Sequence, residues 1–199
     1  MPFFSNTAGD GFQPKRAFRF LVTFSKLGDL TFMVKNSAKP SYELTSTPHQ
    51  VLNHQFNFPG IVKWNPLDVT FIDAVDPNVG SKFYNALINS GYVPPTDHAG
   101  LLTGITKVGT TNTIGEVRIK QLDGGGLILP TGSDPGEVAG DVEPSRILEE
   151  WTLKNAWIKS VKFGDGLGYD QEGLVNVTVS LTYDFATYEA IAGGRAYKS

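Results

Sequence analysis

The chain has 199 residues, a formal net charge of −3 at pH 7, no cysteine, and a hydrophobic content of 40%. This length suits a single domain over residues 1–199. The lack of cysteine excludes a disulfide framework, a thiolate metal site and a cysteine nucleophile. The weak negative charge gives no reason to expect tight nucleic-acid binding, and without an apolar run of about 18 residues we expect no membrane anchor.

The N-terminal third predicts an arm followed by antiparallel strands. Residues 1–16 are polar and contain glycine, which is typical of a flexible arm. Alternating apolar residues predict a strand over 17–25, and residues 30–35 return as its hairpin partner. A third strand is predicted over 49–58. A fourth is predicted over 61–73, with a bulge or sheet edge at its internal proline.

One helix is predicted over residues 78–91. Asp76 or Asn78 caps its start, and Gly91 ends it. The apolar residues fall on one stripe that would lie against the sheet. Residues 95–147 then predict a long loop insertion, because they are rich in Gly, Pro, Thr and Asp and hold one strand-like segment over 116–122.

The C-terminal quarter predicts two long strands. Residues 148–163 alternate with a phase shift near Ala156, which indicates a β-bulge. Residues 163–173 form a glycine-rich turn, and residues 174–185 form the most regular strand of the chain. The tail from Ala186 is predicted to begin as a short helix.

One face of the 174–185 strand is polar but carries no lysine, arginine or aromatic residue, whereas solvent faces usually carry charged pairs. Its members are Asn176, Thr178, Ser180, Thr182 and Asp184. Such a surface stays hydrated without neutralising phosphates, as the lumen of a DNA conduit requires. The alternative is a plain β-surface that is rich in threonine.

Charge is distributed unevenly along the chain. Residues 1–63 carry a net charge of +4, and residues 121–150 carry −6. Opposite patches suit head-to-tail contact between copies, although ordinary solvated surfaces explain them equally well.

Candidate chemical sites are weak. His49 and His54 lie five apart on one predicted strand and would face opposite ways, so they predict no metal pair. The Asp165–Asp170 segment lacks the acid spacing of a calcium loop. Glu149 and Glu150 are predicted to form a solvated edge. We find no catalytic constellation, and we expect no enzyme, metal site or cofactor.

The order of several motifs resembles a known family. The motifs are the strand start Arg16–Phe20, the segment Trp64–Phe71 before the one helix, and the C-terminal hairpin with Leu153–Trp157, Leu167–Asp170 and Val175–Phe185. This pattern is similar to that of the tail tube proteins of contractile-tailed (myovirus) bacteriophages, over residues 16–91 and 148–189. The family is related in fold to the ring-forming tube protein of type VI secretion.

The resemblance implies a mainly β fold: a sandwich or partly closed barrel of antiparallel strands, with one flanking helix and the long inserted loop. It implies hexameric rings that stack into a tube and conduct viral DNA without binding it specifically. The implied partners are further copies of the chain, the tail sheath protein, and the baseplate and tail-terminator proteins. The implied location is the virion, after assembly in the host cytoplasm.

Site residues follow from the resemblance together with the patterns above. The lumen set is the polar face of the 174–185 strand, supported by three residues of the third strand, Asn53, Gln55 and Asn57. Contacts between rings or subunits are assigned to the arm, to the loop after residue 39, and to the acidic loop. These residues are Lys15, Arg16, Lys39, Tyr42, Glu43, Asp134, Glu137, Asp141 and Glu143.

Two other readings stay open. A baseplate protein that initiates the tube, or a type VI secretion tube, would share the same pattern. A carbohydrate-binding β-sandwich is an alternative from a different class, because Trp64, Trp151 and Trp157 could stack on sugar rings. All three lie in strand-like apolar patterns, which favours a core or interface role.

Overall fold

A computed structural model describes residues 15–28, 30–95, 104–122, 147–170 and 172–190. In chain order the strands and helices are β1 Phe20–Phe24, a 3-10 turn Thr31–Met33, β2 Val34–Ser37, β3 Tyr42–Val51, β4 His54–Trp64, β5 Leu67–Ile72, α1 Val79–Asn89, α2 Lys107–Ile114, β6 Val117–Leu122, β7 Ile147–Lys154, β8 Trp157–Lys162, β9 Asn176–Thr182 and β10 Phe185–Ala190. The predicted mainly β class is confirmed.

Two four-stranded antiparallel sheets form a sandwich. The first sheet has the order β1-β6-β7-β10 and the second has β2-β5-β9-β8. Within the described ranges no strand pair joins the two sheets into a closed barrel. Apolar side chains of both sheets and both helices meet in one core, where Phe71 lies 5.8 Å from Phe24 and 5.1 Å from Phe83 between ring centroids.

Strand β9 has the alternation that its sequence predicts. Val177, Val179 and Leu181 are fully buried, and the intervening polar residues are half-buried on the opposite face. Burying each of these apolar side chains contributes about 1.5–3 kcal/mol, so a slip of one residue would be strongly unfavourable. The phase of the polar face is therefore fixed.

Both predicted C-terminal strands change sheets partway along. The 148–163 segment divides into β7 in the first sheet and β8 in the second, and the break falls at Asn155, whose φ is 54°. The 174–185 segment divides into β9 and β10 at Tyr183 and Asp184. The helix predicted from Ala186 is wrong, because that residue continues β10 opposite Leu153 of β7.

The predicted 49–58 strand is also wrong, because the chain reverses within it. Strands β3 and β4 form a separate hairpin with its turn at Leu52 and Asn53, where Leu52 adopts a φ of 53°. Leucine is unusual in this left-handed region. The turn was missed because the sequence has no glycine or proline there to indicate it. The hairpin extends the β2–β5 pair beyond the second sheet, since Asn65 N donates to Ser41 O at 2.9 Å.

Helix α1 begins and ends close to the predicted positions. Asn78 caps it by accepting a hydrogen bond from Ser81 N at 2.6 Å, and Asp73 accepts from Val79 N at 3.2 Å. Gly91 follows the helix with a φ of 106°. The predicted cap and stop are therefore confirmed.

The prediction of one helix and a long loop over 95–147 is wrong in its described part, because α2 lies there. Thr106 caps α2, and Gly115 closes it with a φ of 69°. This helix escaped prediction because only Ile114 is buried, so it has no apolar stripe. Strand β6 confirms the strand-like segment. Across the described residues, none of the helices has the length and hydropathy to cross a membrane.

Candidate functional site

The outer face of the second sheet carries four of the eight predicted lumen residues, which are those on β9. Thr178 lies opposite Thr70 of β5, with their hydroxyl oxygens 3.5 Å apart, and Ser180 lies opposite Asp68. On the other side of β9, Ser180 faces Ser160. The face is thus a patch of small polar side chains across three strands.

Neighbouring strands add charge that the single-strand pattern did not reveal. Lys35 donates to the side-chain oxygen of Asn176 at 3.2 Å, and Lys162 lies opposite Thr178. Lys162 also donates to Asp165 at 2.5 Å, and this hydrogen bond lowers the pKa of the Asp165 carboxyl. The cross-strand register was the missing signal, because only pairing brings these lysines to the β9 face.

Asp184 belongs to a clamp at the other end of this face. Its carboxylate accepts hydrogen bonds from Lys107 at 2.7 and 2.8 Å and from Asn155 at 2.9 Å. These hydrogen bonds lower the pKa of the Asp184 carboxyl, and the bond from Lys107 has a larger effect than the bond from Asn155. Of the predicted lumen set, Asp184 is therefore engaged in holding α2 to the junction between the sheets.

The hairpin has two different faces beyond its bulge near Thr45. By the register, one face is aromatic and the other polar. The aromatic face consists of Thr47, His49, Val51, His54, Phe56 and Phe58. The polar face consists of Ser46, Pro48, Gln50, Gln55, Asn57 and Pro59.

Both faces are exposed, including large apolar side chains that monomers normally bury. Phe56 and Phe58 are more than half exposed, and Leu52 at the turn is 87% exposed. An isolated two-stranded hairpin is only marginally stable in water. This one therefore offers an apolar surface and free strand edges to a partner.

The hairpin base is anchored to the sandwich by aromatic contacts. Trp64 lies between Tyr42 and Tyr183, with ring centroids 5.4 and 5.9 Å away. Glu43 accepts a weak hydrogen bond from Asn65 at 3.5 Å. The predicted contact residues Tyr42 and Glu43 therefore lie where the hairpin leaves the sheet.

Glu149 contradicts the prediction of a solvated edge. Its carboxylate is buried and forms ion pairs with Lys15 and Lys39, and Tyr188 donates to it at 3.3 Å. Burial raises the pKa of Glu149, but the hydrogen bonds from the two lysines outweigh burial and lower the pKa overall. These lysines, predicted to contact other subunits, serve an internal ion pair here.

The segment that precedes β1 is bound to the first sheet through its backbone carbonyl groups. The Gln121 side chain donates to the carbonyl oxygens of Arg16 at 2.7 Å and Arg19 at 2.8 Å. The four predicted acidic contacts lie outside the described residues. They are Asp134, Glu137, Asp141 and Glu143.

The described residues form no obvious sugar platform or metal site. Trp151 and Tyr188 lie 4.8 Å apart between ring centroids with their planes tilted by 49°, and all three tryptophans are partly buried. His49 and His54 share one hairpin face, contrary to prediction, because the turn at Leu52 places them on paired strands. Within residues 15–28, 30–95, 104–122, 147–170 and 172–190, no group of three potential ligands forms a metal site.

No protein-family model matches the chain, and no curated protein sequence matches it significantly. Solved structures of contractile injection systems share its fold. The tube-terminating cap of the anti-feeding prophage is 16% identical with a TM-score of 0.58, over 92% of this chain and 97% of the cap chain. A chain from the baseplate of that prophage is 14% identical with a TM-score of 0.59, over 90% and 98% of the two chains.

The third structure is the sheath-tube complex of an extracellular contractile injection system in its extended state. The matched chain is 12% identical with a TM-score of 0.54, over 89% of this chain and 93% of that chain. The chain therefore has the fold found in components of contractile injection systems. The fold expected from the tail-tube resemblance is confirmed.

Proposed function

We propose that this protein is a structural subunit of the inner tube of a contractile tail, assembled from hexameric rings that stack head to tail. Viral DNA would pass through the tube without specific binding. Sheath, baseplate and terminator proteins would be its partners in the virion, with assembly in the host cytoplasm.

The projecting hairpin is the observation that carries this proposal. Phe56, Phe58 and Leu52 are exposed on a two-stranded ribbon beyond the core, and apolar patches of this kind mark interaction sites. A subunit that must contact copies of itself needs such a site. Similarity in fold to a tube-terminating cap and to a sheath-tube complex supports the same role.

The outer face of the second sheet is our candidate for the lumen. Thr178 and Ser180 are small and uncharged, the Thr182 hydroxyl is buried rather than open to solvent, and the nearby Lys162 is paired with Asp165. Such a surface is hydrated, and Lys35, which donates to the neutral side chain of Asn176, is the cation there that phosphates would meet. We assign Asn53, Gln55 and Asn57 to the same hydrated surface, further along the hairpin.

A second candidate in the same class is a tube initiator or cap. Matches to a baseplate chain and a cap chain favour it, because these chains have the same fold as the chain from the sheath-tube complex. An initiator or cap would form one ring and stop, whereas a tube subunit would continue to add rings.

Negative-stain electron microscopy across a concentration series tests both candidates. Uniform hollow tubes with sixfold end views are expected from a tube subunit, and single rings from an initiator or cap. A purified baseplate is added as a seed, because it offers a template on which rings can stack. Monomers that neither assemble alone nor extend the seed, and that bind a glycan array, would support the carbohydrate-binding alternative.

A further inference from the structure

We propose that a cleft between α1, α2 and β8, here called the helix cleft, binds a small apolar anion. The ligand class is a single aromatic ring that carries a carboxylate. The ring would lie against the apolar walls of the cleft, and the carboxylate would accept a hydrogen bond from Lys159. One copy of the chain forms the whole site, so the inference is independent of the proposed tube function.

The helix cleft is mostly apolar and large enough for one ring. Phe83 and Ala86 of α1 are buried at its base, and Leu87 lines it with partial exposure. Phe163, after β8, is a further apolar and partly exposed neighbour. The volume of the cleft is about 210 Å³. An apolar cavity of about 150 Å³ can bind benzene, so an aromatic ring with a short polar group fits here.

The hydroxyl groups that line the helix cleft are already satisfied. Thr113 donates to Gly109 O at 2.8 Å, and the Thr110 hydroxyl also bonds to the backbone of α2. Ser90 donates to Leu87 O at 2.6 Å. Because each hydroxyl is paired with its own helix, none of the three requires a partner from a ligand.

The two helices are packed together beside the cleft. An added Cβ at Gly109 of α2 would lie 2.8 Å from Ser90 O at the end of α1, so only glycine allows this close approach. Ile114 at the end of α2 is fully buried in the core. Packing therefore holds the walls in place before a ligand binds, as is usual for small-molecule sites.

A β-bulge brings Lys159 to the helix cleft. Between Ile158 and Ser160 strand β8 advances two residues while β9 advances one, so Lys159 is the extra residue. A regular strand points successive side chains to opposite faces. Here Ile158, Lys159 and Ser160 all border the same cleft. Bulges on edge strands are known to redirect a side chain in this way.

Charge determines which apolar ligand the helix cleft prefers. Lys159 is exposed, and it is the only charged residue among the described residues that line the cleft. Within the described part of the chain it has no hydrogen bond or ion pair. The neighbouring Ser160 hydroxyl is a second possible donor. A carboxylate at the mouth of the cleft would therefore be bound, and an ammonium group would be repelled.

Ligand-observed fluorine NMR on the purified full-length protein tests this site. The probes are para-fluorophenylacetate and its neutral isostere para-fluorophenylacetamide. The fluorine signal of the carboxylate should broaden with the protein present, and the amide should bind about fivefold more weakly, since an exposed ion pair contributes modestly. Excess phenylacetate should displace both probes.

Lys159→Gln tests the charged contact. It should weaken binding of the carboxylate about fivefold and leave binding of the amide unchanged. Lys162→Gln is the matched control, because it removes the same charge from β8 at a residue that does not line the cleft. Equal affinity of the two probes for the parent protein, or equal effects of the two variants, would overturn the assignment of an anion.

Thr113→Leu tests the location by filling the helix cleft. It should weaken binding of both probes at least about tenfold, because the larger side chain takes the space of the ring. Asn112→Leu, at an exposed position of the same helix, should bind like the parent protein. Thermal unfolding checks that both variants are folded. Binding that persists in folded Thr113→Leu, or no binding by the parent protein, would overturn the site.

Discussion

Asn155 and Asp184 meet where two neighbouring strands pass from one sheet to the other. The Asn155 amide donates to the Asp184 carboxylate at 2.9 Å, and Asp184 N donates to Lys154 O at 3.1 Å. Asn155 has a left-handed backbone conformation with a φ of 54°. Asparagine tolerates this conformation, and its side chain locks the crossing in place.

Substituting Asn155 should therefore destabilise the sandwich. We expect Asn155→Ala to lower the free energy of unfolding by about 2 kcal/mol, through backbone strain and the lost hydrogen bond. Asn155→Gly keeps the conformation and should lose only about 1 kcal/mol. Urea unfolding measures both values, and equal losses would argue against the backbone contribution.

Gly60 should be required for hairpin geometry. A Cβ at this position would lie 2.4 Å from the Thr45 hydroxyl, which accepts a hydrogen bond from Ile61 N at 3.0 Å within the bulge. Gly60→Ala should therefore distort the hairpin and reduce assembly about tenfold, equivalent to about 1.4 kcal/mol.

The matched control is Gly173→Ala, where an added Cβ meets no atom within 4 Å. Sedimentation measures the assembled fraction, and thermal unfolding checks that the sandwich is intact in both variants. If both variants assembled like the parent protein, the hairpin would not be an assembly surface.

Positive charge on the candidate lumen should slow passage of DNA. Thr178→Arg with Ser180→Arg adds two cations per subunit to the outer face of the second sheet, and these would bind phosphates. Particles should assemble with normal dimensions but release DNA more slowly. Thr178→Asn with Ser180→Asn is the neutral control, and unchanged release from normal arginine-bearing tubes would exclude these positions from the lumen.

The Glu149 ion pairs should make stability depend on acidity. The pKa of Glu149 is lowered in the folded protein, so its contribution is complete above its unfolded value, near 4.3, and is lost as pH falls through the folded pKa. Glu149→Gln should cost about 1–2 kcal/mol at pH 7, at the modest end because both lysines are half exposed.

The difference between the parent protein and Glu149→Gln should then shrink as the pH falls, because both carry a neutral side chain in acid. Denaturant unfolding at a series of pH values measures this convergence. Glu189→Gln on exposed β10 serves as the control. A constant difference at all pH values would mean that Glu149 acts through its shape rather than its charge.

Regular alternation and caps made β9 and α1 predictable from sequence, because burial and hydrogen bonding there follow local pattern. The hairpin turn at Leu52 and the sheet crossing at Asn155 were not predictable, since each depends on a left-handed residue other than glycine. Helix α2 lacks an apolar stripe. The ion pairs of Glu149 with Lys15 and Lys39 join residues more than 100 positions apart, so no local sequence pattern predicts them.

The chain crosses between the two sheets at Asn155 and again at Tyr183, and these two crossings affect how the sheets can move relative to each other. The two sheets of a β-sandwich pack through side chains that interdigitate between their inner faces. In this chain two covalent links run side by side between the sheets, with a backbone hydrogen bond from Asp184 to Lys154 between them. Sliding one sheet over the other along the strands would therefore strain the backbone at both crossings as well as the side-chain contacts.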